Sequence, residues 1–231
     1  MADYRGWFDQ NAQKEKRRLF LHTERQLPMP LYQLLIGLII LYGLLFNAIV
    51  SALLTDRAIL LLYNAYPFVL IAYLILSILG IFLTRSESPL VSFIGYNLVV
   101  LPLGVLVSMV TFAYDPYLVA AAMFGTAAVV VAMTGVATIF PNFFRKLGRA
   151  LLTALFLSMV AGFVFLILGL DSFLLDSLLV LIFSLYIAFD WSRACSYEPT
   201  LDNAVDSACD LYLDIINLFL RLLRIMGRRR R

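Results

Sequence analysis

Residues 204–226 read AVDSACDLYLDIINLFLRLLRIM, and this stretch decides the fold. It has the length of a membrane span, yet it carries Asp206, Asp210, Asp214, Asn217, Arg221 and Arg224. Their spacings are 4, 4, 3, 4 and 3 residues. At about 100° per residue, all six fall within an arc of about 80° on a helix. The rest of the circumference is Leu211, Leu213, Ile215, Ile216, Leu218, Phe219, Leu220, Leu222 and Leu223. A charged side chain at mid-membrane costs about 2.5–3.5 kcal/mol on the insertion scale. The stripe must therefore face protein or water, and the helix belongs at the centre of a bundle. Asp206 and Arg224 sit near enough to the ends to reach the surface, the arginine by snorkelling. Asp214 lies two helical turns in from Asp206 and has no such exit.

The remainder of the 231 residues defines the medium. Hydrophobic residues make up 62% and charged residues 14%, against about 25% charged in a soluble domain. The mean hydropathy is +0.91. These values exclude a water-soluble globular protein, a disordered chain and a disulfide scaffold. The fold class is an all-α polytopic membrane protein, with seven transmembrane helices expected near 31–54, 65–84, 90–113, 117–140, 150–170, 173–190 and 204–226. The alternation that a membrane barrel requires is absent. Turn residues mark the joints, among them Thr-Asp at 55–56, Asp-Pro at 115–116 and Glu-Pro at 198–199. Because the joints are short, consecutive helices are expected to be antiparallel neighbours. Residues 58–66 either extend the second helix or lie at the interface. Pro102 should bend the third helix, and the small residues of the fourth, from Ala120 to Gly135, suit close helix packing.

Three regions follow: a basic arm over 1–30, a membrane domain over 31–226 and a basic tail over 227–231. No signal peptide is read in the arm. It holds six Lys or Arg, and Arg145, Lys146, Arg149, Arg85 and Arg193 fall at joints on the same side. The positive-inside rule then places the N-terminus in the cytoplasm, with the arm on anionic lipid and not on nucleic acid. An odd number of spans sends Arg228–Arg231 across the membrane, unless the last segment re-enters. Cys195 and Cys209 are expected as thiols.

A second carboxylate, Asp190, closes the sixth segment. Helices six and seven are antiparallel, so Asp190 and Asp214 reach similar depth on facing helices. Two adjacent carboxylates cannot both ionise cheaply, and they titrate as a unit. Arg85, after the second helix, is the candidate cation to hold the ionised form. Such a pair can sense protons, bind a cation such as Ca²⁺ through its oxygens, or activate water for hydrolysis.

Tyr212-Leu-Asp214-Ile-Ile-Asn217-Leu-Phe-Leu, followed by Leu-Arg224-Ile-Met-Gly227, resembles the C-terminal signature of the transmembrane Bax inhibitor motif family. Ile-Ala-Phe-Asp190 is similar to the end of that family's penultimate helix, and Met123-Phe-Gly125-Thr126-Ala127 to its fourth-helix motif. The resemblance covers nearly the whole chain. It implies a seven-helix fold with the last helix enclosed, and a pH-sensitive calcium leak. The implied gate is Asp190, Asp214 and Arg85, with Asp210, Asn217 and Arg221 along the ion path. In eukaryotes the family is linked to suppression of cell death, and in bacteria to membrane protein quality control. Phe189 stands where the family usually has Tyr. The second segment lacks the acidic residue that some members carry, which weighs against a site needing a third intramembrane carboxylate.

Three functions compete at this level. The first is a proton-gated cation leak, chiefly for Ca²⁺, with no enzymatic activity and no cofactor beyond Ca²⁺ as the permeant ion or as one bound by Asp190 and Asp214. The second is a regulatory protein acting through other membrane proteins, in which the stripe only fixes helix register. The third and most remote is an intramembrane aspartyl protease. Those enzymes carry Gly-x-Gly-Asp, whereas Leu-Tyr-Leu precedes Asp214 here. The single histidine, His22, lies in the arm, so no buried histidine base or zinc cluster is available. Short loops and the C-terminal motif favour the bacterial inner membrane.

Overall fold

The computed structural model describes residues 26–228. The basic arm up to residue 25, with His22, and residues 229–231 of the tail lie outside the described residues. Among the described residues the structure is helical throughout: α1 (Met29–Leu53), α2 (Asp56–Asn64), α3 (Tyr66–Leu83), α4 (Pro89–Phe112), α5 (Pro116–Ile139), α6 (Pro141–Arg145), α7 (Gly148–Leu168), α8 (Phe173–Ala194) and α9 (Leu201–Arg228). Six of these, α1, α3, α4, α5, α7 and α8, are long and apolar enough to cross a membrane. α9 is longer than any of them, at 28 residues, but its polar stripe takes it out of that apolar class.

The helix starts follow local chemistry. Proline occupies the first turn of α1, α3, α4, α5 and α6, where its missing N–H costs nothing. The Asp115 carboxylate accepts the Tyr117 N–H at 2.7 Å at the head of α5, and the Thr55 hydroxyl accepts from Ala58 at the head of α2. α7 ends at Gly169, whose φ of 64° is the left-handed conformation that glycine adopts without strain. Residues 58–66, ambiguous in sequence, are divided between α2 and the start of α3.

α9 packs against α8, α1, α5 and α4, while α3 lies on α4 and α7 on α8. Sequence order is therefore a partial guide to neighbours. α1 packs on α4 and α9, and α5 on α8 and α9, where short joints alone suggested consecutive pairing. Two apolar clusters share α9. One joins Tyr32 and Ile36 of α1 to Leu179, Ile182 and Ile187 of α8 through Leu211, Ile215 and Leu218. The other joins Tyr96, Val99, Val100 and Leu103 of α4 to Leu118 and Ala122 of α5 through Tyr212, Ile216 and Leu223. The outward faces carry exposed apolar residues such as Leu34, Leu38, Phe68, Ile71, Phe156 and Phe163, as a lipid-facing surface requires.

α3 and α4 meet backbone to backbone. A Cβ placed on Gly95 would lie 2.6 Å from the Gly80 carbonyl oxygen and 2.7 Å from the Thr84 nitrogen. Glycine here allows backbone to meet backbone. Gly95→Val is expected to lower the stability of the solubilised protein by about 1–3 kcal/mol through overpacking. Gly135→Ala, with nothing within 4 Å, should leave stability unchanged or raise it, since alanine is the better helix former. Thermal unfolding in detergent compares the two.

Candidate functional site

The candidate site is built where α8 and α9 run antiparallel. Residues 195–200 connect them, so the C-terminal turn of α8 lies beside the first turns of α9. This is the loop end. Several polar links fix it. The Tyr32 hydroxyl of α1 reaches the Ala194 carbonyl at 3.2 Å and the Ser207 hydroxyl at 3.3 Å. The Ser92 hydroxyl of α4 donates to Asp202 at 2.6 Å. The Asn203 amide donates to the Glu198 carbonyl at 2.9 Å, and Leu27 N–H to Pro199 at 2.7 Å. Trp191 donates from its indole to Thr138 of α5 at 2.9 Å. Asp202, Asp206 and Asn203 are all buried.

Within this frame the structure brings Asp190 and Asp214 together. Their carboxyls lie side by side, within hydrogen-bonding range, with Asp210 close to both. Two carboxyls at this range bond to one another only when one of them carries a proton. The Asp190 side chain is 11% exposed, Asp214 is buried, and one Asp214 oxygen has no hydrogen-bond partner. Tyr186, one turn before Asp190, also lies within electrostatic reach of both carboxyls.

The cation at this pair is not Arg85. Arg85 is exposed at the end of α3 and stacks over the Phe82 ring at 5.3 Å. Arg193 instead places its guanidinium 3.3 Å from Asp190, over the rings of Phe189 and Tyr197 at 5.1 and 5.7 Å. The difference is local geometry: Arg193 is three residues beyond Asp190 on the same helix, one turn away. Phe189, which departs from the family pattern, has a packing role. Its ring fills the space where a Cβ on Gly148 would stand, 2.7 Å away.

The remaining stripe residues run toward the opposite, far end. Asn217 turns its amide back onto the Leu213 carbonyl at 2.8 Å. Arg221 does not snorkel. It binds the Asp176 carboxylate of α8 at 2.9 Å, and Arg224 binds the same carboxylate at 3.2 Å. Arg228 reaches Asp176 at 3.3 Å and also pairs with Asp171. Asp176 is fully buried. Sequence reasoning missed both Asp176 and Arg193. The signal was present: an acidic residue in the first turn of α8 and a basic one in its last.

The opposite face of α9 borders a cavity of about 800 Å³ between α1 and α5. Its wall includes Leu211, Ile215, Ile216 and Phe219, with Leu44 and Val130 across from them. It is apolar and lies on the other side of α9 from the carboxylates. Among the described residues no three His, Cys, Asp or Glu side chains converge on a metal position. Cys195 and Cys209 are both thiols.

Six apolar spans and a charged seam shielded between two helices define an all-helical integral membrane protein. Residues 28–231 match the family described as inhibitor of apoptosis-promoting Bax1, and the chain belongs to that family. It is similar to mouse protein lifeguard 4, with 35% identity over 121 residues, 52% of this chain and 50% of that protein. It also resembles uncharacterized proteins of two Helicobacter pylori strains, with 33% identity over 88 residues, 37% of each chain. The chain thus spans half or less of the length of the curated relatives it matches.

Ser92→Ala removes a donor from the buried Asp202 carboxylate. The expected loss of stability is about 1–3 kcal/mol, the cost of weakening the satisfaction of a buried charged group, read from the unfolding midpoint in detergent.

Proposed function

We propose that the protein is a proton-gated cation leak, chiefly for Ca²⁺, with Asp190 and Asp214 as its gate. The observation that carries this reading is the pair itself. Two carboxyls from adjacent helices lie side by side, nearly shut off from solvent, with the Arg193 guanidinium in contact. In this reading the shared proton ties α8 to α9, and the remaining negative charge of the pair holds Arg193. As pH falls the pair gains its second proton, the charge disappears and the Arg193–Asp190 contact weakens. The loop end of α9 is then freed from α8, so flux rises on acidification. Two carboxylates supply far fewer oxygens than the about six to eight that Ca²⁺ takes. The pair therefore serves as a station for a passing, partly hydrated ion and holds no resident metal.

In this arrangement α9 is the seventh crossing and lies enclosed by the others. Its single unbroken helix is about 42 Å long at 1.5 Å per residue. It runs beside α8 from the loop end to Asp176, which supports passage across the membrane over re-entry. The joint arginines and lysines support a cytoplasmic N-terminus and loop end. Short joints and the bacterial relatives support a bacterial inner membrane. No catalytic activity and no cofactor are assigned. Lipid, protons and Ca²⁺ are the partners, and contacts with other membrane proteins are compatible with the leak.

Ca²⁺ flux into proteoliposomes, followed from about pH 8 to pH 5, tests this. Wild type should leak about tenfold faster at the acid end, and Asp214→Asn should lose that dependence. A folded wild-type protein with no flux at any pH would remove the leak and leave the interaction reading.

A further inference from the structure

We propose that Arg221, held in place by the buried carboxylate of Asp176, forms a second constriction on the cation path, at the end opposite the Asp190–Asp214 pair. The proposal rests on the leak reading and adds to it the residues that limit throughput.

The argument begins with where the polar track goes. Asp210, Asp214, Asn217 and Arg221 lie on one face of α9, and Asp210, Leu213, Asn217, Leu220 and Arg221 are only partly buried. From Asp214 the track runs seven residues, about 10.5 Å along the helix axis, before it meets the Arg221 guanidinium. An arginine near a helix end ordinarily extends to the surface. Arg221 turns inward to Asp176 at 2.9 Å, and the carboxylate it meets has no solvent exposure. Asp176 is therefore a positioning residue, which keeps a permanent positive charge on the track.

The local charge balance decides what this does to an ion. Arg221, Arg224 and Arg228 face Asp176 and Asp171, and Ser172 contributes only a hydroxyl to Asp176 at 3.2 Å. Among the described residues, three guanidinium groups against two carboxylates leave one positive charge in excess. Arginine does not lose its proton in proteins, so acidification cannot discharge this group. A divalent cation leaving the carboxylate pair approaches a fixed like charge in a weakly screened environment. That barrier holds the protein to a slow leak even when the pH-sensitive gate is open. Because Asp214 and Arg221 share one helix, a displacement of α9 acts on both.

The test measures Ca²⁺ flux in proteoliposomes for wild type, Arg221→Gln, Arg221→Lys, Asp176→Asn, Asp176→Glu and Asp214→Asn across the same pH range. Co-encapsulated fluorescent dye monitors bilayer integrity. Arg221→Gln should raise flux about tenfold at every pH while keeping the acid dependence. Asp176→Asn leaves Arg221, Arg224 and Arg228 against Asp171 alone, so it should lower flux at every pH. Arg221→Lys and Asp176→Glu should stay near wild type. Asp214→Asn should lose the acid dependence without the rise. If wild type leaks and Asp214→Asn loses its pH response, but Arg221→Gln lowers the unfolding temperature and leaves flux unchanged, the cluster is only a clamp. The inference then fails while the leak reading stands. Loss of dye together with Ca²⁺ would also overturn it, since the ion would be crossing damaged bilayer. Absence of flux in folded wild type overturns both.

Discussion

The structure depends on how two helices dispose of charge that lipid will not accept. α8 carries Asp176 in its first turn and Arg193 in its last. α9 likewise begins with Asp202 and Asp206 and ends with Arg221, Arg224 and Arg228. Each arrangement is favourable within its own helix, because acid near the N-terminus and base near the C-terminus complement the macrodipole. Packed antiparallel, the two helices set acid beside base at the far end, where Asp176 meets the arginines of α9. At the loop end Arg193 and the carboxylates of α9 gather around Asp190. A parallel pairing would oppose like charges at both ends. A slip of one residue would rotate the stripe by about 100°, away from Asp176 and Asp190 together. Charge thus selects direction and register, while the apolar faces supply most of the contact.

The other side of α9 explains why that register is tolerated by the rest of the bundle. Leu211, Ile215 and Leu218 face α1 and α8, while Tyr212, Ile216 and Leu223 face α4 and α5. On this face the Tyr212 hydroxyl accepts from the Asn47 amide at 2.6 Å. Tyr96 packs edge-on against Tyr212, with ring centroids 5.6 Å apart, and donates to the Ile39 carbonyl at 2.9 Å. These bonds tie α1, α4 and α9 together, away from the ionised seam. The helix is therefore held from one side by directional polar contacts and from the other by ion pairs.

Much of this was legible in the sequence because the signals were local. Apolar runs located the long helices to within a few residues, and the spacing of Asp206 to Arg224 defined the stripe. Depth matching on adjacent antiparallel helices brought Asp190 to Asp214. What was not legible was partner choice. Arg85, Arg193, Arg145, Lys146 and Arg149 all fall at joints, and position along the chain does not say which one faces a given carboxylate. Arg193, and not Arg85, contacts Asp190, because one turn of helix already brings it there. Asp176 was overlooked because a lone acid near the start of an apolar run reads as a surface residue. Its burial depends on the reach of three arginines on another helix. Residues 58–66 could not be assigned, since a helix of nine residues lacks the length by which a span is recognised.

The dependence of α9 on α8 has a consequence for biosynthesis. Arg221, Arg224 and Arg228 partition poorly into hydrocarbon alone, and so do the four aspartates at the other end of the same helix. The counter-charge that makes the far end tolerable belongs to Asp176, which the ribosome delivers earlier, with residues 195–200 as the only chain between the two helices. The acceptor is in place before the donors emerge. The short connector keeps α9 at high effective concentration beside its partner. With α9 as the proposed seventh crossing, its integration is an intramolecular docking event, and a helical hairpin is the smallest insertable unit.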